Sequence, residues 1–260
     1  MGWMPKLLLA GWLGRTPPPP PMTDIEAQRA HLEDPDLTDS ERAATLHQLA
    51  TLLSTGEAGE QVEAVTRYQQ VLGQFPRYEH CDQVTFELAL TLSALGRTHE
   101  AMDTHTQLVR RYPESEHVPA AYVQLGEFYF GRDNVYKALL AYRKAARTPG
   151  SPVFEYAHYK LAWCYYNIGE YEKAIEAIKV AVSSPPLRDE ALMDLARFYL
   201  DAGQPDAAAD YIQSLAIASQ WILAHQAAGV FLGAEGLLSG RHRAAVEAVR
   251  FKAAGHAGTQ

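Results

Sequence analysis

Six alanines, Ala64, Ala101, Ala138, Ala174, Ala208 and Ala245, recur at intervals of 37, 37, 36, 34 and 37 residues. A leucine stands 13 residues before each of the last five, at Leu88, Leu125, Leu161, Leu195 and Leu232, and alanine or glycine follows each leucine. Five residues before the alanine comes a glycine, at Gly59, Gly96, Gly169, Gly203 and Gly240, with Asp133 the one exception. Four residues after it comes a larger side chain: Tyr68, His105, Tyr142, Ile178, Ile212 or Val249. Small residues at fixed places let two backbones approach to about 8–10 Å, and the larger ones fill the gaps. A unit of this length cannot bury its own apolar face, so the pattern demands neighbours of the same kind.

The window Glu155–Pro186, EYAHYKLAWCYYNIGEYEKAIEAIKVAVSSPP, shows what one unit is. Leu161, Ala162 and Tyr165 share one helical face, and Ala174, Ile178 and Ala181 share another. Gly169 marks the turn, because glycine takes the left-handed cap conformation without strain. Pro185 and Pro186 forbid the second helix from continuing. The unit is therefore two amphipathic helices joined by one tight turn.

In these features the chain resembles the tetratricopeptide repeat family, whose helix–turn–helix unit recurs about every 34 residues. LAWCYYNIGEYEKAIEAIKVAV carries the likeness best, and LGEFYFGRDNVYKALLAYRKAA, from Leu125, comes next. The resemblance covers about 40–252. It implies an all-α solenoid of about six helix–turn–helix repeats forming a right-handed superhelix, over 38–252. The approximate repeats are 38–76, 82–115, 119–152, 155–186, 189–220 and 226–252. In the first unit Leu49-Ala50 lies two residues too early, so a longer turn, STGEAGEQ, must absorb the shift. The last unit is weaker, with Gly236 where a large aromatic is usual. Pro76, and Pro113 with Ser115, are similar to a Tyr-Pro-x-Ser junction in bacterial cell-envelope repeat proteins, including the lipoprotein of the outer-membrane β-barrel assembly machinery.

Outside the repeats the chain is less regular. Residues 1–22 are expected to be a disordered or mis-assigned start, or a signal-like segment, ending in the polyproline spacer Pro17–Pro21. The apolar run Leu7–Gly14 is too short to span a bilayer, which takes about 20 residues. Leu9-Ala10-Gly11 opens like a lipoprotein box, but Trp12 stands where the acylated cysteine must be, so no stable membrane anchor is expected. Thr23-x-x-Glu26 and Thr38-x-x-Glu41 are capping boxes. They open an acidic lead-in helix with its linker, 23–37, and the first repeat helix. The tail 253–260 is expected to fray.

Charge and composition exclude several functions. The net charge is −8, of which 23–42 carries −5 (seven acidic, two basic residues), so the rest of the chain is near neutral. That balance lacks the basic stripe that phosphate-backbone binding needs, so no nucleic acid is expected. Cys81 and Cys164, the two cysteines, lie about two repeats apart and belong to no metal pattern, so an internal disulfide is not expected. His99 and His105, six apart, share no chelating face. No HExxH, nucleophile elbow or phosphate-cradling glycine loop occurs. No catalytic residue, metal or cofactor is expected.

The remaining surface is a second stripe on the first helix of each unit. It comprises Phe86, Leu90 and Ser93; Val123, Glu127 and Phe130; Tyr159, Trp163 and Tyr166; and Met193, Arg197 and Leu200. Each trio is spaced i, i+4, i+7 and forms one line. In the family resembled, that stripe lines a concave groove that holds peptides. The expected partner-binding residues are Phe86, Leu90, Phe130, Tyr159, Lys160, Trp163, Tyr166, Asn167, Met193 and Arg197. Lys160 and Arg197 would fix a carboxylate, and Asn167 would bond peptide backbone. Two accounts of the aromatics stay open at this point, a binding hot spot or rings buried by the superhelix itself. The expected function is a non-catalytic scaffold for a protein or peptide partner, in which Trp163→Ala weakens capture but leaves melting nearly unchanged. A structural subunit of a bacterial cell-envelope machine, for outer-membrane assembly or gliding motility, is the alternative, within a membrane-associated complex. An enzyme or small-ligand-binding protein is the third. The bacterial cell envelope or periplasm is the expected location, with the cytoplasm as alternative.

Overall fold

The computed structural model describes residues 22–217. Within them eleven helices follow one another and no strand forms. The lead-in helix is α1 (Met22–Leu32), followed by α2 (Asp39–Ser54), α3 (Ala58–Gln74), α4 (Cys81–Ala94), α5 (Thr98–Arg111) and α6 (Val118–Phe130). Then come α7 (Val135–Ala145), α8 (Phe154–Asn167), α9 (Tyr171–Ala181), α10 (Arg188–Asp201) and α11 (Pro205–Ile217). The chain divides into two compact units. The first runs to Asp133 and includes Arg147–Val153; the second takes Asn134–Ala146 and the chain from Phe154.

In the first unit, α1 to α6 pack each on the next. In the second, α7 to α11 do the same. Their contacts are made by the recurring small residues: Ala64, Ala89, Ala101, Ala138, Ala162, Ala174, Ala196 and Ala208 have no exposed surface. Tyr68, His105, Tyr142 and Ile178, four residues after the alanine, are also wholly buried. The leucines that open each interlock, Leu88, Leu125, Leu161 and Leu195, are buried as well.

The turns follow from backbone chemistry. Gly169 has φ +78°, and the Glu170 N–H donates back to the Tyr165 carbonyl at 3.0 Å, the six-residue closure of a Schellman cap. Gly96 and Gly203 repeat the arrangement. Asp133, the sequence exception, holds the same left-handed conformation, φ +57°, without a glycine. Gly59 departs from expectation as a turn residue. It lies inside α3, because the first turn is not the longer STGEAGEQ that the spacing predicts: it spans only 55–57, as short as the turn 95–97 of the next repeat. Thr38 caps α2 with the reciprocal Glu41 bonds that its spacing predicts. The Thr23 side chain, the polyproline run, the sixth repeat at 226–252 and the tail lie outside the described residues. Cys81 and Cys164 are buried and form no disulfide with one another, and no described helix is long and apolar enough to cross a membrane.

Candidate functional site

The ten expected partner-binding residues fall in both units. Phe86, Leu90 and Phe130 belong to the first, and the other seven to the second. Phe86 is buried in a cluster with Leu108 and Ala121, with Leu90 packed half-buried against it. Phe130 closes α6, also half-buried.

In the second unit the stripe on α8 meets α10. The Tyr159 hydroxyl donates to Asp194 Oδ2 at 2.7 Å, and Trp163 Nε1 donates to the same oxygen at 3.1 Å. The Tyr166 hydroxyl donates to Asp201 Oδ2 at 2.6 Å. Phe198, wholly buried, takes Trp163 edge-on at 5.3 Å between centroids and Tyr166 stacked at 4.7 Å. Rings one helix apart are thus fixed both by their polar tips and by their faces. Tyr159 is buried, whereas Trp163 and Tyr166 keep part of their surface open. Around them stand Met193, half-buried, with Arg197 and Asn167 exposed. The Asn167 amide donates to the Trp163 carbonyl at 2.8 Å. Lys160 is buried, with its ammonium 5.9 Å from the Tyr142 ring centroid.

The electrostatics of this wall follow from desolvation. Burial pushes the Asp194 carboxyl above the usual range, opposed by the Tyr159 bond, the Arg197 charge and the Trp163 bond. Glu190, one turn earlier on α10, is raised by burial and by the Asp194 charge. The bond to Asp201, then burial, pushes the Tyr166 hydroxyl up to about 12. Burial and the Asp194 charge raise Tyr159 further. Both tyrosines therefore stay protonated donors throughout the physiological range.

The first unit contains a second carboxylate hub that sequence reasoning missed. Glu87 Oε2 receives His47 Nε2 at 3.0 Å, the Thr51 hydroxyl at 2.9 Å and the Tyr68 hydroxyl at 3.0 Å, while Gln83 donates to Oε1 at 2.8 Å. Burial pushes the Glu87 carboxyl up, but the bonds and charge of His47 with those of Gln83 and Thr51 outweigh it and hold it low. Glu87 and Asp194 occupy the same place in their repeats, immediately before Leu88 and Leu195. Each carboxylate collects donors from the preceding repeat. Their mid-helix position beside the leucine was the available signal. Among the described residues no group of His, Cys, Asp and Glu is placed to hold a metal ion.

Models of the tetratricopeptide repeat match residues 83–115 and, in overlapping placements, 137–187 and 159–220. No curated protein matches the chain. Among solved structures, MamA is 23% identical, covering 76% of this chain and 97% of its own, with a TM-score of 0.54. YrrB is 17% identical, covering 77% and 96%, with a TM-score of 0.56. A tetratricopeptide repeat protein from Parabacteroides merdae is 18% identical, covering 88% and 90%, with a TM-score of 0.51. At these identities the likeness is one of fold. Paired helices, left-handed turns between them and the matched segments together show that 83–115 and 137–220 are built of tetratricopeptide repeats.

Proposed function

We propose that the chain is a non-catalytic scaffold that captures a protein or peptide partner on the α8/α10 wall. The observation that carries this is the pre-set aromatic face. Trp163 and Tyr166 are half-open, yet Asp194, Asp201 and Phe198 already hold them in one arrangement. A partner docking there loses little to side-chain ordering, one of the costs that burial of apolar area must overcome. Met193, Arg197 and Asn167 form the rim, where a partner's apolar and polar groups would be matched. Tyr159 and Lys160, being buried, support the wall from behind. YrrB is described as a tetratricopeptide protein with an unusual peptide-binding site. That likeness is of fold, and the wall proposed here rests on this chain's own residues.

A random dodecapeptide library selected on the full chain tests the proposal. Peptides recovered on the wild type should lose at least about fivefold in affinity to Arg197→Glu with Met193→Ala, in keeping with one or two lost contacts. Peptides that bind the double variant unchanged would remove the wall from consideration. Assembly into a bacterial cell-envelope machine rests on the Tyr112–Ser115 junction, and a stoichiometric partner co-purifying from the membrane fraction is its test.

A further inference from the structure

The first unit carries a cavity that the aromatic wall does not use. It measures about 800 Å³ and lies between the loop that follows α5 and the segment 148–153. Phe86 and His117 line it, stacked with centroids 4.9 Å apart and planes 9° from parallel. Val153, buried, and Ala120 extend this apolar floor. Pro113, Pro119, Pro149 and Pro152 also line the cavity, so much of the backbone around it is fixed in φ before any ligand arrives. Glu114 and Glu116, both exposed, stand at the cavity, and no Lys or Arg is among the described residues that line it. The Ser151 hydroxyl oxygen is buried and has no hydrogen-bond partner, although it can both donate and accept.

We infer that this cavity is a second docking site, and that it takes a basic peptide segment of a partner protein: an arginine or lysine side chain flanked by apolar residues. The chemistry selects this occupant by complementarity. The lining has two carboxylates and, among the described residues, no Lys or Arg to balance them, so an anionic segment is repelled and a cationic one attracted. The stacked Phe86 and His117 offer an apolar, π-rich floor on which an alkyl stem or a guanidinium face can lie. The unpartnered Ser151 hydroxyl supplies a hydrogen bond that an apolar occupant alone would leave unmade. A cavity of this volume falls in the range of formed ligand sites, and it exceeds what one side chain fills. The inference is independent of the α8/α10 wall, which belongs to the other unit.

Heteronuclear NMR on the ¹⁵N-labelled full chain tests it with three capped tripeptides, acetyl-Leu-Arg-Leu-amide, acetyl-Leu-Gln-Leu-amide and acetyl-Leu-Glu-Leu-amide. The arginine peptide should produce saturable shifts of the amides in 114–120 and 148–153. It should bind about fivefold more tightly than the glutamine peptide, the scale of a few exposed charge contacts. The glutamate peptide should not saturate. In Glu114→Gln with Glu116→Gln, the arginine preference should fall within about twofold. Both glutamates are exposed, so the double variant leaves the core untouched. Absence of saturable shifts in these two segments, equal affinity for the three peptides, or a preference that survives in the double variant would each overturn the inference.

Discussion

His105 occupies the place that Tyr68, Tyr142 and Ile178 fill in other repeats, and it is the least comfortable of the four. It has no exposed surface, and neither ring nitrogen has a hydrogen-bond partner. Burial alone lowers its pKa from the usual 6.5 to about 4. The sign of the consequence is fixed. Between pH 6.5 and 4 the unfolded chain takes up a proton that the folded chain refuses, so stability falls as pH falls through that window. At about 1.4 kcal/mol per pH unit, the full window is worth about 3 kcal/mol, most of it already lost at pH 4.5. His105→Leu keeps a similar volume against Phe86 while removing both the titration and the two unpartnered atoms. At pH 7 the variant should be more stable by about 1 kcal/mol, from the polar atoms alone. Urea unfolding followed by circular dichroism should then show its advantage growing by about 2 kcal/mol between pH 7 and 4.5. Other titrating groups are common to both proteins and cancel in the difference. Parallel stability curves, or a His105 ring proton that titrates near 6.5 in NMR, would refute the reasoning.

Substitutions at two further positions discriminate structural ties from open surface. Trp163→Ala should cost about 2 kcal/mol in urea unfolding, because it strips Asp194 of a donor and Phe198 of a ring neighbour. Trp163→Phe should cost only about 1 kcal/mol, and a melting temperature unchanged in the alanine variant would show that the ring is not held as described. Glu87→Ala should destabilise by about 3 kcal/mol at pH 7, since it leaves His47, Thr51, Tyr68 and Gln83 without their acceptor, whereas Glu87→Gln should cost nearer 1 kcal/mol. Because the Glu87 carboxyl is held low in the fold, its contribution is complete above its unfolded pKa and is lost as pH falls through the folded value. Wild type and Glu87→Ala should therefore converge in strong acid, as read by the same unfolding assay.

What the sequence made legible was most of what local backbone demands set, with Gly59 the exception. Ala101 and Ala174 had to be small because helices touch there, and Gly169 had to be left-handed because a helix ends there. Even Asp133 was visible as the one position where that turn is made without glycine. The aromatic line Tyr159, Trp163, Tyr166 was equally legible, since i, i+4, i+7 spacing needs only one helix. Its partners were not. Asp194, Phe198 and Asp201 lie 31 to 35 residues from the rings they hold, so finding them requires the register between repeats. Loop length sets that register, and periodicity does not report it. For the same reason Trp163→Ala read from the sequence as nearly neutral for melting, although the ring is tied at two points. His105 could be placed in the core by its offset from Ala101, but its lack of any partner could not be foreseen.

The two carboxylate hubs show how one repeat position serves two ends. At Glu87 the donors come from both helices of the preceding repeat: His47 and Thr51 from α2, Tyr68 from α3. Such a junction is closed, because the Tyr68 ring that reaches it is wholly buried. At Asp194 the two donors shown come from the first helix alone, Tyr159 and Trp163 of α8. The same inter-repeat tie is made there, but by rings that stand in line along one face, and the last of them stays partly open. A solenoid is stabilised chiefly by interfaces between neighbouring repeats, so a carboxylate at this position is first a coupling device. Where its donors are aromatic and all on the first helix, coupling and display become one arrangement, and the wall is rigid for the same reason that the stack is stable. The corresponding residue in the intervening repeats is Gln124 or Lys160. The combination of a buried carboxylate with a row of rings therefore occurs, among the described repeats, only at α8 and α10, which is the reason for proposing that wall as the docking site.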